Sequence, residues 1–217
     1  MKLRIASLSL LALCLVALPA LADTVYDNGP INGTTDAWTI NFGFIVSDTF
    51  TVGGGGATVN GLAFGAWLAP GDVLLNAEVS ITDAEFGGNT FFDGQVNFTQ
   101  SGCASNQYGF NVCTETGSFA DTNLAGGSYW LNLQNANVNT GDPVYWDENS
   151  GPSSASENSV GTVPSEAFTV LGGTSTTSTT STTSTTGTTG TVPEPSSIML
   201  FGSGILGLAG VLRRKLF

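Results

Sequence analysis

The sequence predicts an all-β chain: an antiparallel β-sandwich of jelly-roll type, then a disordered Ser/Thr-rich linker and a single C-terminal transmembrane helix. Three observations carry that expectation. Apolar residues recur at every second position from Asp23 to Leu171, the period of a half-buried strand. Clusters of Gly, Pro, Asn and Asp punctuate these runs at the short spacing of antiparallel turns. No part of the same stretch carries a 3.6-residue apolar period.

The N-terminus comes first. Lys2 and Arg4 precede an apolar run, Ile5 to Leu18, which Pro19 ends, and Ala20-Leu21-Ala22 places small residues at the −3 and −1 positions. This pattern predicts a signal peptide over residues 1–22, cut between Ala22 and Asp23, and export through the Sec translocon. The run is shorter than the about 20 apolar residues of a comfortable span, which weighs against an uncleaved anchor. Cys14 follows Leu13 rather than a small residue, so it belongs to the signal and is lost with it.

Residues 23–171 are enough for one domain. Phe42, Phe44, Val46 and Phe50 suggest a first inward face, and Leu62, Phe64 and Ala66 a second. Val73, Leu75, Ala77, Val79 and Ile81 form the longest alternation, followed by Phe92, Gly94, Val96 and Phe98, then Tyr129, Leu131 and Leu133. Turns are expected at Gly53–Gly56, Pro70-Gly71-Asp72, Gly87-Gly88-Asn89, Gly126-Gly127 and Gly141-Asp142-Pro143. Trp38, Trp67 and Trp130 read as core or inter-sheet packing.

Charge excludes whole function classes. The chain has 17 Asp and Glu, five Lys and Arg and no His, for a net charge of −12. No Lys, Arg or His lies between Ile5 and Leu212, so no carboxylate of the domain has a side-chain cation to pair with. Nothing there can neutralise phosphates, which excludes nucleic acid and anionic headgroups. A Ser-His-Asp or Cys-His constellation cannot be built, nor a Schiff base, and no phosphate-cradling glycine fingerprint is present. Glycoside hydrolysis by two carboxylates is the one reaction class left open. The expectation is that the domain is not an enzyme.

Cys103 and Cys113 remain after signal removal. A close pair in an oxidising compartment is expected to form a disulfide, and a metal role would need His or further Cys. The richest cluster is "GDPVYWDENSGPSSASENS", residues 141–159. Its Asp142, Asp147, Glu148, Asn149 and Glu157 supply hard oxygens of the kind that hold Ca²⁺. Tyr145 and Trp146 beside them would stack on a sugar ring if exposed. The alternative stays open that this is a short core strand followed by a polar loop. Apart from the calcium reading, no cofactor is expected. Asn32-Gly33-Thr34 and Asn97-Phe98-Thr99 fit the glycosylation sequon.

Residues 172–191 are a Ser/Thr-rich tract with a near-exact three-residue period from Thr174. It has no apolar residue clusters to repay its conformational entropy, so a disordered spacer is expected, either O-glycosylated or a bare tether. The chain ends in "TVPEPSSIMLFGSGILGLAGVLRRKLF". Ile198–Leu212 would make a helix of roughly 22 Å, rich in Gly that a bilayer tolerates. Arg213, Arg214 and Lys215 form a basic tail that should stay cytoplasmic and stop transfer. Val192-Pro193-Glu194-Pro195-Ser196, the Gly-rich apolar run and the basic end together resemble the PEP-CTERM sorting signal of bacterial exported proteins, over residues 192–217. Ser197 stands where that family often has Thr. The resemblance implies recognition by an exosortase, which cuts near the motif and releases or re-anchors the protein at the cell surface. It also implies association with exopolysaccharide and biofilm. On this basis we expect a surface-sorted structural or adhesive protein, with a carbohydrate-binding module or a secreted glycosidase as alternatives.

Overall fold

The computed structural model describes residues 23–174. The expected signal peptide with Ala20 and Ala22, nearly all of the Ser/Thr linker, the sorting motif, the expected membrane helix and the basic tail lie outside the described residues.

Twelve strands form the described part, with no helix among them: β1 (Asp23–Asp27), β2 (Ala37–Thr39), β3 (Ile45–Val52), β4 (Ala57–Leu68), β5 (Leu74–Ala84), β6 (Gly87–Ser105), β7 (Asn111–Leu124), β8 (Gly127–Val138), β9 (Tyr145–Asp147), β10 (Ala155–Glu157), β11 (Gly161–Val163) and β12 (Phe168–Thr174). All pairings are antiparallel, and the order along the sheet is β1-β12-β4-β7-β6-β5-β8-β3-β10-β11. β9 docks on β4, and β2 on β9. β12 keeps pairing through Thr174, so Gly172, Gly173 and Thr174 belong to the sheet rather than to the linker.

The expected two layers are halves of one curled sheet. β6 serves both: Gly87–Asn97 pairs with β5, and Phe98–Ser105 pairs with β7. The curl brings the two inner faces onto one core. Tyr26 on β1 meets Phe50 on β3 at 6.2 Å between ring centroids, and Phe64 on β4 packs edge-on to Phe98 at 5.2 Å and Trp146 at 6.0 Å. Leu62, Phe64, Ala66 and Leu68 face inward from β4, Ala77, Val79 and Ile81 from β5, and Leu131 and Leu133 from β8. Each large member contributes about 1.5–3 kcal/mol by leaving water. Gly117 is small for a reason: a Cβ there would press on Val96 and the Phe98 ring.

Two alternation readings need correction. Val73 and Leu75 are 44% and 43% exposed, while Leu74 is fully buried. The β5–β8 register shifts between Leu74 and Asn76 and again before Glu78, and such a bulge swaps faces within one strand. Phe42 and Phe44 are also exposed, because the strand begins only at Ile45 and Phe42 sits in a left-handed turn at φ 57°. A disulfide between Cys103 and Cys113 ties β6 to β7.

Candidate functional site

The segment 141–159 divides between inside and outside. β9 alternates, so Trp146 points inward and its neighbours outward. Trp146 is fully buried between Phe64 and Phe168, and its Nε1 donates to Ala167 O at 3.0 Å. No face of this indole is open to a sugar, which corrects the stacking role expected for it. Tyr145 is half-buried on the outer side, edge-on to Phe110 at 5.4 Å.

The five residues expected as calcium ligands are not gathered at one point. Asp142 is exposed, and its backbone alone is engaged: its carbonyl accepts from Asn41 Nδ2 and its N–H donates to Thr140 Oγ1. Glu157, on β10, accepts from Ser159 N and Oγ. Glu148 Oε2 takes the Trp38 indole proton at 3.1 Å, and Asn149 bonds to Asn28 O, Gly151 N and Ser165 Oγ. Asp147 is an organiser of the outer surface: Oδ1 accepts from Trp67 Nε1 at 2.6 Å and Gly33 N at 2.9 Å, and Oδ2 accepts from Asn32 N at 2.7 Å. Burial raises the Asp147 pKa, and these three donors pull it back. Among the described residues, no three Asp, Glu, His or Cys side chains form a metal-holding group. Of the five only Asp147 lies on β9, with Glu148 and Asn149 just after it, while Asp142 precedes the strand and Glu157 is on β10.

Two features escaped the sequence reading. On the outer surface, Trp67 lies under Tyr108, stacked at 5.4 Å, with Phe110 beside it. Tyr108 is 51% exposed, at the tip of the β6–β7 turn, where Asn106 Oδ1 accepts from Tyr108 N and Phe110 N. Thr35, Asp36, Trp67, Tyr108 and Phe110 line a recess of about 350 Å³. A second groove of about 480 Å³, with Asn32, Thr34, Ser105, Asn106 and Gln107 on its walls, adjoins it where Tyr108 Oη donates to Thr34 O. The signal was the aromatic pair in Asn106-Gln107-Tyr108-Gly109-Phe110.

The other feature is a set of carboxyls turned inward. Asp48 lies in phase with Val46 and Phe50, Glu166 with Phe168, and Glu115 with Cys113 and Gly117; none of the three is exposed to solvent. Burial pushes Asp48 up to about 6, against hydrogen bonds from Glu166 N, Ser153 Oγ and Thr49 N that favour its charged form. Burial pushes Glu115 up to about 8. Glu166 rises well above the usual range through burial and then the nearby charges of Asp48 and Glu148. Acidic residues in phase with an apolar face, in a domain without cations, were the legible sign.

The remaining expected site residues, Val192–Ser196 and Arg213–Lys215, are in the tail. Residues 191–215 match the PEP-CTERM protein-sorting motif. The PEP-CTERM motif is that of an exported protein, anchored transiently in the membrane, processed by an exosortase and then associated with the surface. No curated protein matches the chain.

Proposed function

We propose that this PEP-CTERM chain is a non-catalytic structural or adhesive component of an extracellular polysaccharide matrix, exported through the Sec translocon and cut by an exosortase. The sorting motif at residues 191–215 carries the proposal. An anionic domain free of Lys, Arg and His supports it, since such a surface stays soluble and binds neither nucleic acid nor anionic lipid. The pairing order supports the jelly-roll assignment. Counting only the eight long or terminal strands β1, β3–β8 and β12, one half runs first-eighth-third-sixth and the other second-seventh-fourth-fifth, a double Greek key. Changing Pro193, Glu194 and Pro195 to Ala should leave the full-length protein in the membrane of a host that has an exosortase. Identical size and location of the unaltered protein in hosts with and without that enzyme would rule the sorting out.

A second reading, carbohydrate binding, is favoured by the exposed Tyr108 stacked on Trp67 above a polar-rimmed recess. Aromatic faces beside hydroxyl and amide groups suit uncharged sugar rings. Of the residues lining that recess Asp36 alone carries a carboxyl, and glycoside hydrolysis needs two, so the reading is of binding without turnover. Tyr108→Ala should abolish saturable binding on a glycan array without moving the melting temperature. Unchanged binding would remove this reading.

A further inference from the structure

Where β1 ends, four oxygen atoms from three separate parts of the chain crowd around one amide. Asn28 Nδ2 has Ser153 Oγ at 2.6 Å, Ser165 Oγ at 2.7 Å, Glu166 O at 2.6 Å and Asp48 Oδ2 at 3.3 Å. An amide nitrogen carries two protons, so two of these four contacts have none to share. The oxygens also crowd one another: Ser153 Oγ is 2.9 Å from Asp48 Oδ2 and 2.8 Å from Ser165 Oγ, which is 2.9 Å from Asn149 Oδ1. The Gly151 backbone closes over the group, and a Cβ there would collide with Asn28 O.

Glu166 supplies the independent observation. It is 0% exposed, and neither of its carboxyl oxygens has a hydrogen-bond partner. Its backbone N–H and C=O are both held by the nest, by Asp48 Oδ2 and Asn28 Nδ2 respectively. It faces Glu148 across an isolated antiparallel bridge. Asp48 and Glu166 are both buried, and the Asp48 charge is foremost among those that raise the Glu166 carboxyl, in a domain whose sequence holds no Lys, Arg or His to offset them. Burying carboxylates without a counter-charge costs several kcal/mol each, and coordination of a cation is one way to remove that cost.

The donor set identifies the cation. Carboxylate, amide, hydroxyl and carbonyl oxygens, numerous and drawn from segments that can adjust, suit Ca²⁺, which takes six to eight oxygens. Zn²⁺ would want His or thiolate, and Mg²⁺ a stricter octahedron with retained water. Two carboxylates balance two positive charges. We propose that Asn28, Asp48, Asn149, Ser153, Ser165 and Glu166 form a calcium site that fastens the end of β1, β3 and the segment after β9 to the segment leading into β12. Of the ligands expected from the sequence only Asn149 belongs to it. The site stands on these contacts whether or not the tail is processed.

The test uses the full chain, purified in detergent and freed of metal by dialysis against a calcium chelator. Equilibrium dialysis with radioactive calcium at millimolar free ion should find one saturable equivalent, with Kd on the order of 10⁻⁴–10⁻³ M, the range of extracellular modules. Calcium should raise the melting temperature over the same range, and magnesium should not. Glu166→Gln keeps the side-chain volume and should weaken binding at least ten-fold, whereas Asp142→Asn and Glu157→Gln should leave it intact. Absence of saturable calcium binding by the unaltered chain overturns the proposal, a result that needs no variant to fold. Equal binding by a folded Glu166→Gln chain overturns it as well, and assigns the ion to the acidic surface.

Discussion

Glu115 on β7 stands directly opposite Gln100 on β6, and the facing groups leave each other unsatisfied. Both oxygens of Glu115 and Oε1 of Gln100 are buried without a hydrogen-bond partner, while Gln100 Nε2 is turned to the sulfurs of Cys103 and Cys113 at 2.9 and 2.8 Å. Two acceptors facing each other give no bond. A proton on Glu115 would relieve this, in keeping with its pKa of about 8.

The first prediction follows from that pair. A carboxyl whose folded pKa exceeds its unfolded value holds its proton more tightly when folded. Stability is then full below the unfolded value of 4.5 and declines as pH rises towards about 8. The slope for this single proton is at most about 1.4 kcal/mol per pH unit. Glu115→Gln removes that slope and presents an N–H to Gln100. The variant should exceed the parent in stability at pH 8 by roughly 1–3 kcal/mol and match it near pH 4. Urea unfolding at both pH values measures this, and a difference that does not depend on pH would contradict it.

Trp146→Ala should cost about 3–5 kcal/mol, the toll of emptying a large aromatic site in a packed core. Phe64 and Phe168 would each lose an edge-on neighbour. Denaturant unfolding checks this. An unfolding midpoint equal to that of the parent would mean the indole is not the core residue described.

Asp147→Asn should loosen the loop at Asn32 and Gly33. Both oxygens of Asp147 accept backbone protons there, and an amide NH₂ in place of either oxygen would set donor against donor. The expected loss is roughly 1–3 kcal/mol for an unsatisfied buried group. Hydrogen exchange should show the Asn32 and Gly33 amides less protected, and the Trp67 indole proton with them. Unaltered protection at all three would refute the organising role.

Removing the Cys103–Cys113 bond should destabilise the domain by about 2–3 kcal/mol, because the bond closes a loop of ten residues' separation and restricts the unfolded chain. Non-reducing peptide mapping of exported protein should recover the two cysteines in one cross-linked species, and a Cys103→Ser, Cys113→Ser double variant should melt earlier. Two free thiols in exported material would refute the pairing.

The period-2 face of β8 was legible because alternation is a local property: Tyr129, Leu131 and Leu133 point one way in any extended chain. The sorting motif was legible for a similar reason, since Pro193-Glu194-Pro195, the apolar run and the basic end are contiguous and need no folding to be recognised. The exposure of Val73 and Leu75 was not, since a bulge in β5 depends on how β8 pairs with it. Nor was the fate of Trp146, which a sequence places equally well on a surface or in a core.

Composition alone determined that no Lys, Arg or His accompanies the domain's carboxylates. Only the tertiary structure decided where those carboxylates would go. Asp48 and Glu166 are 118 positions apart, and the Asp48 carboxylate meets the Glu166 amide because curling at β6 lays β3 over the segment leading into β12. Likewise Tyr108 reaches Trp67 and Thr34 only because the β6–β7 turn folds back over the end of β4. Alternation acts between neighbours in sequence and is written there. Contacts between distant segments depend on strand order and register, which emerge when many weak pairings are satisfied at once.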